Sequence, residues 1–387
     1  MRKISYLLVL SLIFLFSQCK ENDVAPIDDT QKPELSSDST QTLSINDFVV
    51  QLTKRGELKN GIWKSEEGTI DCIFIAGLWI GMEHNGAPEG NIVTDDASKS
   101  SNYISEANNK QSGVFLLNAG TAYKADNWPV EYGAPLDNSG SPKIYGDAMC
   151  WVALQSDTTY KTVSYMSVPI KGLLVTQAVY GYQGEGLRNV IFIKYSITNS
   201  SNENWNNVHA GFYSDTDLYD AGINQTGYDS ARSISYTYEK DKYNVTGFTF
   251  LETPQNTGVL SHRIMKKVYT SSNYQDYTET TFNSPQCIIY ALKGLSNTDQ
   301  PMINPTTGLE SKFAFTGDPV NGTGWLDDKS DVRSLISTNT FSLNAGETTW
   351  ITVAWVVTKK TSLQNSLDDL KSMIDHVRGD VSLWKFH

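Results

Sequence analysis

Apolar positions recur along this chain in short, mostly alternating runs. In residues 190–198, Ile191, Ile193, Tyr195 and Ile197 fall on one face at period two, while Lys194, Ser196 and Thr198 make the other face polar. That pattern predicts a half-buried strand. Residues 173–182, 208–213, 232–238, 285–292 and 312–316 read as strands of the same style. Near the end, residues 340–343 and 349–358 flank Asn344-Ala345-Gly346-Glu347, which reads as strand, turn, strand. In the last of these runs, Trp350, Thr352, Ala354 and Val356 alternate with Ile351, Val353, Trp355 and Val357. Apolar residues on both faces predict a central strand covered on both sides. Trp79, Trp350 and Trp355 are accordingly read as core.

Turn chemistry separates the runs: Asn60-Gly61, Asn85-Gly86, Gly184-Glu185-Gly186 and Asn321-Gly322. Helical spacing is confined to the end of the chain. There Leu363, Leu367, Leu370, Ile374 and Val377 step by four and three, one face of an amphipathic helix. Thr361 or Ser362 is placed to cap it and Gly379 to stop it. Many strands and one helix predict an all-β fold. We expect a large antiparallel β-sandwich, one large or two packed, over residues 44–360. Residues 361–387 supply a C-terminal amphipathic helix and a tail packed on it.

Charge narrows the partners. The 387 residues carry 31 Lys+Arg against 43 Asp+Glu, a net charge of −12, with no basic block. Nucleic acid is thereby excluded as the main partner, because phosphate binding needs clustered Lys and Arg. Aromatic residues make up 11% of the chain, too many for disorder throughout.

The N-terminus adds a location. Arg2 and Lys3 precede an apolar run from Ile4 to Phe16, too short to span a bilayer comfortably. Ser17, Gln18 and Cys19 follow. Residues 1–18 therefore read as a signal peptide of lipoprotein type, and Cys19 as the lipidated first residue of the mature chain. Lys20, Glu21, Asn22 and Asp23 resemble a short signal that exports lipoproteins to the outer face of the outer membrane. Residues 19–43 read as the anchor and a polar tether. The expected partner here is the membrane, through the lipid, and the expected location is the cell surface.

Cys72, Cys150 and Cys287 remain, an odd number without zinc spacing. Cys72 and Cys287 lie in apolar runs and read as buried strand thiols.

Several segments taken in order resemble a group of secreted, β-rich bacterial proteins, many of which end in a type IX secretion sorting domain. The first is Gly77-Leu78-Trp79-Ile80-Gly81. Trp128-Pro129, Gly133-Ala134-Pro135, Gly146-Asp147 and Trp151 follow. Then come 195–199, Gly211-Phe212-Tyr213-Ser214-Asp215-Thr216-Asp217-Leu218, Gly324-Trp325-Leu326-Asp327, Asp331 with Arg333, and Ala345-Gly346-Glu347. The likeness covers roughly residues 70–378. It implies secretion and a β-rich fold, and brings no catalytic residues with it. This chain departs from the group by ending in a helix and tail, which fits export by lipidation.

Candidate chemistry is sparse. Asp215, Asp217 and Asp220, with Asp229 further on, form the densest acidic segment. An Asp-x-Asp start suits calcium, which takes several oxygens from one loop. Tyr219 and Thr226 at the fifth and twelfth positions exclude a helix-loop-helix calcium loop, so any such site belongs to a sandwich loop. Asp327, Asp328 and Asp331 form a second cluster, which pairing with Lys329 or Arg333 explains. Tyr182, Tyr213, Tyr219 and Tyr228 are the best candidates for an exposed aromatic patch that stacks on sugar rings. His209 reads as a surface or satisfied histidine. There is no Gly-x-Ser-x-Gly elbow and no His-Glu-x-x-His, so enzymatic activity has no motif behind it. Three readings follow: a surface lipoprotein that binds glycan or a surface protein, a structural component of a surface assembly without small-molecule ligand, and a glycan-active hydrolase or lyase. A concave groove lined by Tyr and Trp favours the first.

Overall fold

In the computed structural model, residues 35, 37–65, 67–93, 103–105, 113–156, 168–266, 285–329 and 331–387 are described. Two antiparallel sheets face each other. The first runs in the order β1 (Ser37–Asp38), β8 (Val114–Asn118), β9 (Ala148–Ser156), β10 (Leu173–Gly181), β11 (Val190–Asn199), β21 (Thr348–Lys359), β15 (Asn244–Glu252), β14 (Ile234–Glu239) and β13 (Gln225–Asp229). β7 (Tyr103–Ser105) pairs with β9. The second runs β16 (Val259–Lys266), β19 (Val332–Thr338), β12 (Trp205–Asp215), β5 (Gly68–His84), β4 (Leu58–Ser65), β3 (Phe48–Thr53) and β2 (Thr40–Ile45). β6 (Ala87–Asn91) pairs with β5, and β20 (Phe341–Leu343) with β12. β17 (Met302–Ile303) and β18 (Glu310–Ser311) form a separate small hairpin.

One apolar core spans both sheets, so the fold is a single large β-sandwich. Phe48 on β3 meets Trp355 on β21, and Phe212 on β12 meets Phe248 on β15. β21 is central, between β11 and β15, as its two apolar faces require. Its inner residues Ile351, Val353, Trp355 and Val357 join the main core, while Ala354 and Val356 join a second core on the outer face of the first sheet.

That second core lies beneath a helix, α2 (Leu363–Gly379). The predicted residues Leu363, Leu367, Leu370, Ile374 and Val377 are the ones it buries. Ser362 caps it, its hydroxyl accepting from the Asn365 amide at 3.2 Å. Leu370 rests on Gly247, where a Cβ would stand 3.0 Å from its methyls.

The tail covers the rest. Tyr180 and Tyr182 donate to the Leu383 carbonyl, Phe386 stacks on Tyr145 at 4.3 Å, and His387 stacks on Trp350 at 4.1 Å. This cover corrects one expectation. Lys194 lies on the polar face as read but is buried beneath the tail at 5% exposure, with its ammonium 3.0 Å from Glu252 and within reach of Thr352 and the Trp384 carbonyl. Desolvation lowers its pKa and Glu252 opposes that shift.

Other expectations also change. Pro285–Leu292 is a helix, α1, not a strand. A short apolar run has no period of its own to separate the two, and proline suits a first helical turn. Residues 312–316 make single bridges only, because Phe315 sits at φ 55° and breaks the extended run. Ser233, at φ 55°, delays the start of β14 to Ile234. Residues 37–43, expected in the tether, are strands: β2 pairs with β3 along its whole length. Trp350 is half-buried rather than core. Cys19, the signal peptide and most of the tether lie outside the described residues.

The helix α1 lies on the outer face of the second sheet, over two glycines. A Cβ on Gly211 would stand 2.8 Å from Leu292 and 2.9 Å from the Ile336 carbonyl oxygen. One on Gly81 would stand 3.1 Å from Leu292. Beside this seat Trp79 stacks on Tyr213 at 5.3 Å and donates its indole N–H to the Val93 carbonyl at 2.8 Å.

Candidate functional site

A wide groove of about 1700 Å³ crosses one end of the sandwich. Five places in the fold build it: the turn before β3 (Asp47), the β4–β5 hairpin (Trp63, Lys64, Ser65 and Glu67), the segment before β11 (Glu185, Arg188, Asn189), the β14–β15 turn (Lys242, Tyr243), and the end of β21 leading into α2. The last contributes Lys359, Lys360 and Thr361, then Asn365, Asp368, Asp369 and Ser372. Those four helical residues share one face at the 3.6-residue period, opposite the buried leucines.

Six of the ten charged residues lining the groove pair with one another. Arg188 forks onto Asp47 through two hydrogen bonds of 2.9 and 3.2 Å. Lys359 pairs with Glu67, and Lys360 with Asp369 at 3.3 Å. Two aromatic residues stand among them. Tyr243 is 36% exposed and sits at φ 64°. Trp63 is 7% exposed, and its indole nitrogen has no hydrogen-bond partner among the described residues. Equal numbers of positive and negative side chains beside the exposed ring of Tyr243 suit a polyhydroxylated ligand better than a polyanion.

The predicted acidic residues divide. Asp215 and Asp217, at the end of β12, meet Asp331, just before β19, with one carboxylate oxygen of each within 4.8 Å of the others. Strand pairing explains the meeting, because Asp215 stands opposite Arg333 in register. Arg333 holds Asp215 at 3.2 Å and Asp331 at 3.0 Å, with both Arg333 and Asp215 buried. The expected Arg333 pairing is therefore present, whereas Lys329 turns away to Asp241 at 3.2 Å. Asp327 accepts from the Thr226 amide at 2.9 Å.

Asp220 and Asp229 are not part of this cluster. Asp220 caps a short turn by accepting from the Gly222 amide. Asp229 accepts from the Ala231 and Arg232 amides and pairs with Arg232 and Lys371. Short acidic side chains beside turns bond their own backbone, which withdraws them from the candidate site.

The expected aromatic patch does not assemble. Tyr213 is buried against Trp79 and Tyr228 is buried between His262 and Phe313. Tyr182 packs under the tail. Tyr219 alone is well exposed, at 61%, with the Lys242 ammonium 3.0 Å above its ring. Tyrosine on a sandwich strand goes to whichever face packs, and here both faces are covered. The groove residues escaped the sequence reading because they come from separate elements. Only the polar face of α2 left a periodic trace. His209 is likewise neither exposed nor satisfied: it is 4% exposed, and its Nδ1 has no partner among the described residues.

No family model matches the chain, and no curated protein matches it. Solved structures do match, among them one from Escherichia coli K12 provisionally named an aldose 1-epimerase. It is 8% identical, covers 83% of this chain and 99% of its own, and has a TM-score of 0.36. A likeness of that degree leaves the functional reading to the residues of this chain.

Proposed function

We propose that this protein is a lipid-anchored surface β-sandwich that binds a polar, uncharged ligand, foremost an oligosaccharide, in the groove between the sheets' ends and α2. The observation that carries this reading is the groove itself, with Trp63 and Tyr243 set among evenly matched charges. A purely structural role leaves such a feature without a purpose. Cys19 is the proposed lipid attachment site. The test is a glycan array probed with the chain from Lys20 onward. Binding is expected, and Tyr243→Ala is expected to weaken it about tenfold through lost ring contact. An array without hits, or hits indifferent to Tyr243→Ala and Asp369→Asn together, overturns the reading.

A second reading concerns the cluster of Asp215, Asp217 and Asp331, where three carboxylates gather and Arg333 holds two of them, Asp215 and Asp331. Their spacing favours a calcium ion in a sandwich-loop site. At 10 mM calcium the melting temperature is expected to rise by about 3 °C over the chelator control. Asp217→Asn is expected to abolish the rise. Superimposable melting curves with and without calcium count against the ion.

A further inference from the structure

On the outer face of the second sheet, where the end of α1 overhangs β5 and β12, lies a smaller cavity of about 270 Å³. Glu83, Asn207, His209, Ile289, Lys293 and Thr340 line it. Its origin follows from the two glycines. Leu292 sinks onto Gly81 and Gly211, so α1 lies close to the sheet there. One step along each strand the side chains return as His209 and Glu83, the latter reaching Gln286 in the first turn of α1. The space left between them is the cavity.

His209 is its buried member. A buried imidazole nitrogen without a partner costs about 1–3 kcal/mol, and native proteins seldom leave one so. The lining is rich in donors: the Lys293 ammonium, the Asn207 amide, the Thr340 hydroxyl and the imidazole ring. Lys293 and, more weakly, Lys312 add positive charge that acts on His209. Glu83 is the only anion among the described residues of the lining, and it already accepts from the Gln286 amide at 3.3 Å. Ile289 provides one apolar wall.

We propose that this cavity is a second binding site, taking a carboxylate-bearing ligand about the size of one sugar ring, held by Lys293 with the His209 ring, Asn207 and Thr340 around it. The volume lies just below the range of ordinary ligand pockets, which suits a single ring rather than a chain. The carboxylate is either that of a free organic acid or that of an acidic unit within a glycan. This site is separate from the groove, shares no residue with it, and stands or falls without it.

The experiment follows the His209 ring resonances of the full chain by NMR at pH 7, assigned with His209→Gln. D-glucuronate is the probe, and D-glucose its uncharged control at equal concentration. Glucuronate is expected to shift the His209 signals and glucose to leave them in place. Lys293→Met is expected to weaken the glucuronate response at least tenfold, the loss of one charge-assisted hydrogen bond. Glu83→Gln is expected to strengthen it, so a reading survives if the lysine variant folds poorly. Acetate and an oligogalacturonide separate the sources: a response to acetate indicates free acids, and a response to the oligomer but not to acetate indicates glycan. Equal shifts with glucose and glucuronate, no shift with any acid, or an unchanged response in both variants overturns the proposal.

Discussion

Replacing Arg333 by methionine is expected to cost about 3–5 kcal/mol, read as a fall in the urea midpoint, because it strands carboxylates inside the protein. The guanidinium lies 3.2 Å from Asp215 and 3.0 Å from Asp331, and both Arg333 and Asp215 are almost fully removed from water. Breaking such a pair from one side leaves a desolvated charge without the guanidinium that compensates it. Arg333→Met combined with Asp215→Asn is expected to recover much of the loss, since it removes the stranded charge as well. If the cluster also takes calcium, the single variant should regain stability in 10 mM calcium more than the wild type does. A single variant that unfolds with the wild type would show that the ion pair contributes nothing.

Acid is expected to destabilise the protein well before its carboxylates protonate. Burial holds both His209 and His262 down at about 4, against an ordinary value of 6.5. His262 stacks on Tyr228 and meets the Ser235 hydroxyl at 3.0 Å and the Ala314 carbonyl at 3.1 Å through its two nitrogens. Between pH 6.5 and 4 the unfolded chain binds protons that the folded chain refuses, so stability falls as pH falls through that window. At pH 5 each histidine accounts for about 2 kcal/mol, or roughly 4 kcal/mol together. His84 acts in the opposite direction, its pKa raised by Glu203 and Glu89, but it sits in exposed ion pairs that salt screens. Urea midpoints at pH 7, 6 and 5 measure the slope. The double variant His209→Gln, His262→Gln should be less stable at pH 7 and less sensitive to pH. A wild-type midpoint constant from pH 7 to 5 would refute the assignment.

The sequence made the strands and α2 legible because their periods are strong. The α2 face came through residue by residue. The Cys287 region did not, because an apolar run of eight residues suits a buried strand or a buried helix equally. The reading of Lys194 as solvated failed for a different cause: its cover comes from the tail, nearly two hundred residues away. Among the acidic candidates, Asp215 and Asp217 were found and Asp331 was set apart from them, since only the register of β12 against β19 joins the two clusters. The aromatic candidates failed because tyrosine type does not reveal which face is covered. The groove was invisible for want of any single segment that contains it.

The Gly77-Leu78-Trp79-Ile80-Gly81 segment has a structural meaning in this chain. A Cβ on Gly77 would stand 2.5 Å from Val93, and one on Gly81 would crowd Leu292. Between them Trp79 fixes the same region by its stack on Tyr213 and its bond to Val93. The motif therefore seats α1 and the end of β6, and through them shapes the cavity beside His209.

Cys72, Cys150 and Cys287 are all buried and none is in a disulfide. Burial pushes the Cys150 thiol up to about 12 and Cys72 higher still, so neither presents a reactive thiolate to reagents in water. Cys72 and Cys150 thus serve as built-in clocks for opening: a thiol-directed dye reaches them only after the sheets open.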